Sequence, residues 1–598
     1  MCGIVALYNY TGNAGVDRNE LVAVRDRMAT RGPDGSGAWY SPDNRVGLGH
    51  RRLAIIDLSE TGSQPMANAD GSLVITFNGE IYNYRELRSA LEQAGYRFRS
   101  ASDTEVLLHL YDQKGRDMVH DLRGMFAFAL WDVKKKGLFL ARDPFGIKPL
   151  YYSDDSRTFR AASQVKALLA GGGVDTMPDP AGHVGFFLWG HVPEPYTLYK
   201  GIRSLPAGTA LWVDEHGRKT FTTFFDVSQK LAKAGTAPSA ARPEEVREII
   251  RNVLLDSVRH HLVADVPVGV FLSSGLDSTT LAALATECGV TGLRSVTLGF
   301  REYQGTTNDE VPLAEQVARH YGIEHRTIWV EKKDFHEELP HILDAMDQPT
   351  TDGINSYFVS KAAKEAGLKV VLSGLGGDEL FGSYPSFRQV PRMASMFGRL
   401  AAIPGLGKGF RVVSAPVLRR FTSPKYAGLF EYGGTYGGAY LLRRGMFMPW
   451  ELPDLLHGDM VQEGLEELQT VSRLEAISLG IENIHLKIAA LEMSWYMRSQ
   501  LLRDTDWASM AHSVEIRLPL VDRELLRVVA PTFRASPRPK KQDMASMPTK
   551  ALPDGIGSRE KTGFSVPVRQ WIVEGEHLEG ERSLRGWAMK VYGAMSER

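Results

Sequence analysis

The sequence predicts two domains of different architecture: an α+β domain built on antiparallel sheet, followed by an α/β domain with a doubly wound parallel sheet. Three observations carry this. Up to about residue 215, short alternating or aromatic-rich runs recur between Gly, Asn and Asp turns, which is a strand pattern. The text SQKLAKAGTAPSAARP (228–243) is poor in large apolar groups and rich in Ala, Ser and Pro, a linker composition. Beyond it, buried-strand runs alternate with long helical periodicities, which implies a parallel sheet covered by helices on both faces. The expected division is 1–215, a linker over 216–243, and 244–598.

In the first part, Leu73-Val74-Ile75-Thr76-Phe77 reads as a strand ending at Asn78-Gly79, and MFAFALW (125–131) as another. There Phe126, Phe128 and Leu130 share one face, while Ala127 and Ala129 keep the other small. Gly137 to Ala141 and Pro149 to Tyr152 continue the style, with a helical stretch from Arg85 to Ala94 between strands. In the second part, EEVREIIRNVLLDSVRHHL (244–262) is helical, and Val268–Leu272, Arg294–Leu298 and Lys369–Leu372 are strands. The glycine-rich GGTYGGAY (433–440) reads as a flexible loop with no assignable chemistry. His336-Glu337-Glu338-Leu339-Pro340-His341 resembles a zinc-protease motif, but its histidines are one residue too far apart and Pro340 is expected to interrupt the helix.

Composition narrows the function classes. The 598 residues are 43% hydrophobic and 24% charged, ordinary for a globular chain, and about 150 residues per domain allows two to four domains. Lys+Arg is 70 against Asp+Glu 71, so no global attraction to nucleic acid or anionic lipid is expected. No apolar run reaches the about 18 residues of a membrane span, and no basic residue precedes the apolar N-terminal stretch, so neither a span nor a signal peptide is expected. With only Cys2 and Cys288, a disulfide framework is excluded and a cytoplasmic location is the natural expectation.

A cysteine at position 2 becomes the N-terminal residue once the initiator methionine is removed. Its thiol and a free α-amine then share one residue, and an α-amine titrating at about 7.7–8.0 can take the thiol proton. The alternative is a small residue at the start of a buried strand. A thiolate attacking an amide needs donors for the developing oxyanion, which Asn78-Gly79 offers; taken alone, that dipeptide reads as a hairpin turn. A free amino-acid substrate also needs a cation for its carboxylate and an anion for its ammonium, for which Arg52 and Asp103 are candidates.

The second chemical region opens where Ser273-Ser274-Gly275-Leu276-Asp277-Ser278 links a strand to a helix. Backbone N–H groups, serine hydroxyls and the helix dipole together suit a phosphate. With no lysine in the loop this is not a Walker-type site, and a Ser/Asp helix cap is the plain alternative. A second such loop, SGLGGDELFG (373–382), follows Lys369–Leu372. Two such loops after parallel strands meet at the carboxyl edge of the sheet, where Asp277 and Asp378 could share one Mg²⁺.

MCGIVAL, RGPDG (31–35), GHRRLAIID (49–57), FNGEIYNY (77–84), SDTEV (102–106), GMFAFALWD (124–132) and ARDPFGIKPLYY (141–152) stand in one order. Together they resemble the N-terminal-nucleophile glutamine amidotransferase domain of the asparagine synthetase family. The two phosphate loops, LRDTDWASMAHSVEIRLPLVD (502–522) and EKTGFSVP (560–567), extend the resemblance to about residue 575. The resemblance implies an αββα sandwich followed by an ATP-pyrophosphatase domain with helical additions. It makes Cys2 the nucleophile, Asn78 and Gly79 the oxyanion hole, and Arg52, Ile55, Ile56, Glu80 and Asp103 the glutamine pocket. It places ATP against Phe271, Ser273, Ser274, Gly275, Asp277, Ser278, Leu298, Ser373, Gly374 and Asp378, with Mg²⁺ on Asp277 and Asp378, and makes Lys561 the active-site lysine. ATP is cleaved between its α and β phosphates, a carboxylate becomes an acyl-adenylate, and ammonia crosses an internal tunnel to displace AMP. Implied partners are glutamine, ATP and a carboxylate acceptor, without nucleic acid or membrane; a homodimer is allowed.

The sequence departs from the family at Thr30, often His, and at Ser274, usually Gly. More telling are Leu375, where asparagine-forming relatives carry Glu or Asp, and Trp507-Ala508, often Arg-Met. With Glu379 and Tyr384, Leu375 and Trp507 are the expected acceptor pocket. Two acceptors stay open: aspartate, or a larger and less polar carboxylic acid, with a substituted nitrogen as conceivable cargo. A cyclase with a silent first domain is disfavoured by the intact Cys2, Asn78 and Asp103. A non-catalytic binding protein is disfavoured by Asp277, Asp378 and Lys561.

Overall fold

In a computed structural model of the chain, the described residues are 2–11, 15–236, 242–290, 292–401, 403–421, 423–557, 567, 571 and 581–596. Up to Thr223 the chain forms two six-stranded antiparallel sheets. Edge to edge, the first runs Arg203–Ser204, Tyr151–Asp154, Thr158–Ala162, Gly3–Asn9, Val46–Arg52 and Gly35–Tyr40. The second runs Lys219–Thr223, Thr209–Val213, Gly137–Arg142, Gly124–Asp132, Leu73–Ile81 and Met66–Ala67.

The two faces of Gly124–Asp132 explain the layering. Ala127 and Ala129 turn toward the other sheet and share a core with Ile4, Ala6, Tyr8 and Leu140. Their small side chains let the sheets approach. Phe126, Phe128 and Leu130 turn outward into a core with Leu91, Val106, Leu107 and Leu110 of the helices Tyr84–Gln93 and Asp103–Lys114. On the opposite side, Arg18–Arg27 and Val165–Ala170 cover Val5 and Leu7. The result is the expected αββα sandwich.

The second half holds a five-stranded parallel sheet in the order Glu324–Val330, Arg294–Phe300, Val268–Phe271, Val370–Leu372, Glu515–Arg517. Val370 and Leu372 face one core, with Val258 and Leu281 of the helices Pro243–His261 and Leu276–Glu287. Val371 faces the other, with Tyr357 and Phe358 of the helix Ile354–Glu365. The chain winds outward in one direction from Val268–Phe271 and later returns on its other side at Val370–Leu372. The loops after these two strands therefore flank the switch point of the sheet. Helical additions include Ser386–Ala401 and Tyr436–Arg444, and a wide-turned π-helical stretch, Glu492–Leu502, runs into the helix Arg503–Met510. Among the described residues no helix is long and apolar enough to cross a membrane.

Four sequence expectations need correction. Leu73–Ile81 continues as a strand through Asn78-Gly79, because both residues pair with Ala127 and Phe126 of the neighbouring strand. Within GGTYGGAY, Tyr436 onward is helical, and a Cβ on Gly437 would stand 2.8 Å from Glu475 Oε1 and 2.9 Å from Leu474 Cβ. These glycines serve close packing, not flexibility. The helix Lys332–Ala345 passes through Pro340, anchored by buried Phe335 and Ile342 on either side. The range 216–243 contains the sheet strand Lys219–Thr223 and the helix Val227–Thr236, whose Leu231 and Ala234 are buried.

The two halves are joined by buried ion pairs. Arg31 reaches Asp506 at 2.6 Å, with side chains 1% and 5% exposed. Arg123 binds Asp522 at 2.8 Å, and Arg517 lies 3.4 Å from Glu80. Asp347 accepts the N–H groups of Val165 and Lys166, both at 3.0 Å, where a carboxylate complements a helix N-terminus. Replacing Asp506 by Ala strands a buried guanidinium, which costs about 3–5 kcal/mol. Denaturant midpoints should fall for Asp506→Ala, and the double variant Arg31→Met/Asp506→Leu should recover much of that loss.

Candidate active site

Cys2 starts the central strand Gly3–Asn9, is buried, and lies beside the strand that carries Asn78. Its N–H donates to Asn78 Oδ1 at 2.8 Å, and its Sγ lies 4.0 Å from the Leu53 carbonyl oxygen. Asn78 is completely buried, and its side-chain NH₂ has no hydrogen-bond partner among the described residues. A buried donor left open next to a thiol is costly unless a ligand oxygen is meant to fill it. Gly79 has φ +147°, and a Cβ there would overlap the Met125 carbonyl oxygen. Only glycine fits, so the sequence choice is steric.

Asp103 is the first residue of the helix Asp103–Lys114, which Ser102 caps, and accepts the Ile81 N–H at 3.0 Å. Burial pushes its carboxyl up to about 6, against the hydrogen bond from Ile81, with Glu515 adding to the rise. Burial also raises Glu80 well above the ordinary carboxylate range, with Glu515 reinforcing it and Arg517 opposing. Burial raises the Cys2 thiol too, against the pull of the N-terminal charge. Arg52 donates to the carbonyls of Ser59, at 2.8 Å, and Asp57, which fixes the 57–59 loop. Ile55 and Ile56 are buried alongside, and the Ile55 carbonyl accepts the Asp265 N–H from the second half at 2.9 Å.

Sequence reasoning quoted RGPDG but gave Arg31 no role. Its Nε donates to the Cys2 carbonyl at 3.0 Å, and its other nitrogens grip Asp506. Only the fold reveals that partner, 475 positions away.

The phosphate loops meet. A Cβ on Gly374 would stand 2.7 Å from Asp277 Cβ and 3.1 Å from the Ser278 nitrogen, so the second loop lies directly on the first. Gly376, at φ +104°, turns that second loop. Ser273 and Ser278 hydroxyls lie 2.9 Å apart, and the Gly275 N–H donates to Ser273 Oγ at 3.1 Å, shaping the entry to the helix Leu276–Glu287. The Ser274 hydroxyl is buried without a hydrogen-bond partner among the described residues. Both loops line a cavity of 1110 Å³, whose wall includes Phe271, Ser273, Ser274, Gly275, Asp277, Ser278, Leu298, Ser373, Gly374 and Asp378.

Between the two aspartates stands Lys541, with Nζ 2.6 Å from Asp277 Oδ2 and in contact with Asp378 Oδ1. The two carboxylates thus converge on one cation position. Sequence reasoning missed Lys541, since no motif marks Lys540-Lys541 in a polar connecting stretch. Lys561 lies outside the described residues.

At the other end of the cavity are Leu375, Glu379 and Tyr384. Tyr384 donates to Glu379 at 2.7 Å, and burial raises Glu379 to about 7, with Asp378 adding to it. Trp507 does not line the cavity. It is buried behind the wall and donates its indole N–H to Asp504 at 3.0 Å. The wall at that place is formed by Asp352, Tyr496 and Asp504. The apolar surface expected from Trp507 is therefore absent there, because the ring packs in the core with Tyr357.

Such a sandwich, with a buried thiol at the head of an inner strand beside an open amide donor, joined to a parallel sheet with two small-residue loops in contact, suits a glutamine-using, ATP-using enzyme of two halves. Residues 1–225 match the glutamine amidotransferase domain family and residues 249–585 the asparagine synthase family. "Asparagine synthetase [glutamine-hydrolyzing] 1" of Bacillus subtilis is 34% identical, over 96% of this chain and 88% of its own. "Putative asparagine synthetase [glutamine-hydrolyzing]" of Mycobacterium tuberculosis is 33% identical, over 99% and 91%. "Amidase chry2" of Gibberella zeae is 31% identical over 65% of this chain and 60% of its own. The chain belongs to the asparagine synthetase family, and is a carbon–nitrogen ligase with glutamine as amide donor.

Since Gly374 holds the loops in contact, Gly374→Ala should abolish ATP binding while the fold persists. Equilibrium dialysis with ATP and circular dichroism of the same sample check this.

Proposed function

We propose that this enzyme amidates a carboxylate in an AMP-forming reaction, drawing nitrogen from glutamine, with aspartate to asparagine as the reaction to test first. The observation that supports it best is the helix Arg503–Met510, which faces both sites: Asp506 binds the arginine that holds Cys2, and Asp504 and Thr505 line the nucleotide cavity.

In the first half, the processed Cys2 attacks the glutamine side-chain amide, its α-amine taking the thiol proton. The Asn78 NH₂ and the Gly79 N–H receive the oxyanion. Arg52 faces the substrate carboxylate, and Asp103 with Glu80 its ammonium. Hydrolysis of the thioester returns glutamate, and ammonia leaves toward the second half.

In the second half, ATP lies with its base between Phe271 and Leu298 and its phosphates on the Ser273–Ser278 and Ser373–Gly374 loops. The acceptor carboxylate attacks the α-phosphate, pyrophosphate leaves, and an acyl-adenylate forms. Ammonia then displaces AMP. A dry passage matters because ammonia in water at neutral pH is mostly protonated and not nucleophilic. Asp277 and Asp378 already converge on one cation, so they fit a Mg²⁺ ion, which when bound offsets phosphate charge. Lys541 is the cation between them in this structure, so a Mg²⁺ ion bound by both carboxylates would displace its ammonium; Lys561 remains the family's expectation.

Leu375 favours a second reading. An aliphatic side chain on the cavity wall, where relatives carry a carboxylate, suits a larger and less polar acid than aspartate.

Incubation with Mg-ATP, glutamine and aspartate should yield asparagine, glutamate, AMP and pyrophosphate in equal amounts. AMP with a different amide would support the second reading, and no pyrophosphate with any acid would refute the reaction. Cys2→Ala should abolish glutamine-dependent product but retain product formation from ammonium chloride. The glutaminase kcat/KM should fall as pH drops through about 6, because protonated Asp103 loses the charge that holds the substrate ammonium. Asp103→Asn should remove that step.

A further inference from the structure

The overall charge balance of -1 conceals one strongly basic stretch. From Leu380 to Phe430 the sequence holds eight Lys or Arg and not one Asp or Glu. Most of it forms two successive helices, Ser386–Ala401 and Leu406–Phe421, which touch each other. Their inner sides are held by Phe397 and Phe410, whose ring centroids lie 5.5 and 4.5 Å from that of Phe430. Arg411 also turns inward, to Glu431 at 2.6 Å.

The outer side has a different texture. At about 100° per residue, Arg388, Arg392 and Arg399 fall on one line of the first helix, with Met396 and Leu400 beside them, and all five are exposed. On the second helix Lys408, Val412, Val413 and Val417 share the outward half, Val413 being 77% exposed. Ile403 and Leu406, also exposed, carry the apolar strip across the connection. Arg388, Arg392, Arg399 and Lys408 form no ion pair among the described residues. Single exposed apolar side chains are ordinary on a protein surface, but seven between Met396 and Val417, interleaved with unpaired cations, mark a contact surface.

The mixture selects among partners. A second copy docked face to face would set like charges against each other, and head-to-tail docking would not close. A folded acidic protein would meet the cations, but such interfaces are anchored by aromatic side chains, and among the described residues these two helices expose none. The headgroup layer of an anionic bilayer takes both components at once, aliphatic side chains entering the acyl boundary while Lys and Arg stay at phosphate level. We propose that this helical pair docks the enzyme peripherally on an anionic phospholipid bilayer. The first helix, about 24 Å long, begins beside Tyr384 and Pro385 of the nucleotide cavity wall, so docking holds that cavity near the lipid surface.

The test is co-sedimentation of the full-length enzyme with vesicles of phosphatidylcholine, alone or mixed with phosphatidylglycerol. Protein should sediment with the mixed vesicles only, and should be released as salt is raised and screening tightens. Arg392→Gln/Arg399→Gln should lower the partition coefficient about 25-fold, roughly fivefold per cation. Val413→Ser/Val417→Ser should lower it about tenfold with the salt dependence unchanged. All four positions are exposed, so glutaminase turnover should stay as it was and report that each variant is folded. Binding that tracks the arginines and ignores the valines would mark a general polyanion site and overturn the proposal. A dimer in sedimentation velocity that the valine pair dissolves would give the face to a second copy instead. Failure to sediment with the mixed vesicles at low salt would overturn it outright.

Discussion

Two carboxylates two residues apart on one helix set the relation between the halves of this molecule. At about 100° per residue, Asp504 and Asp506 point to nearly opposite sides of the helix Arg503–Met510. Asp506 is bound by Arg31, which in turn holds the Cys2 carbonyl, while Asp504 stands in the wall of the nucleotide cavity. A helix with its side chains is about 10–12 Å across, so a single element separates the two chemistries. Burying the Arg31–Asp506 pair adds little net stability relative to apolar residues, but it strongly disfavours any other docking, since a shift leaves both charges unpaired. Arg123–Asp522 and Arg517–Glu80 repeat the device along the same seam. Ion pairs of this kind specify the register in which the two halves dock.

The layers of the fold and most of the site were legible in the sequence because both rest on local pattern. The alternation of Phe126, Phe128 and Leu130 with Ala127 and Ala129 encodes a strand with one face toward helices and one toward a second sheet. The small-residue loops after Val268–Phe271 and Val370–Leu372 encode the close meeting of two turns at the sheet's edge. What escaped depends on contacts distant in sequence. Asn78-Gly79 has the composition of a hairpin turn, and only pairing with Ala127 and Phe126 keeps it extended. GGTYGGAY has the composition of a flexible loop, yet Glu475 and Leu474 press on Gly437 within a helix. Lys541 carries no local signal, because its meaning comes from Asp277 and Asp378, 264 and 163 positions away. Trp507 was expected on the cavity wall, but a side chain's direction is set by packing, and here it turns its ring inward and offers its N–H to Asp504.

Buried carboxylates of this molecule differ in how far their charge is met within the chain. Asp522 is fully buried yet held below the ordinary range, because Arg123 and backbone N–H groups outweigh desolvation. Glu105 is likewise held near 2 by His109, Ser100 and Arg99 against its burial. Their interactions are complete within the chain. Asp103 and Asp504 lie at the other extreme, raised to about 6 and about 7 chiefly by burial. Each accepts hydrogen bonds from neutral groups that orient it without neutralising it. Such a carboxylate is a poor structural element, since its charged form is under-solvated, but a good receptor, since an arriving ammonium supplies the missing partner in a medium that screens weakly.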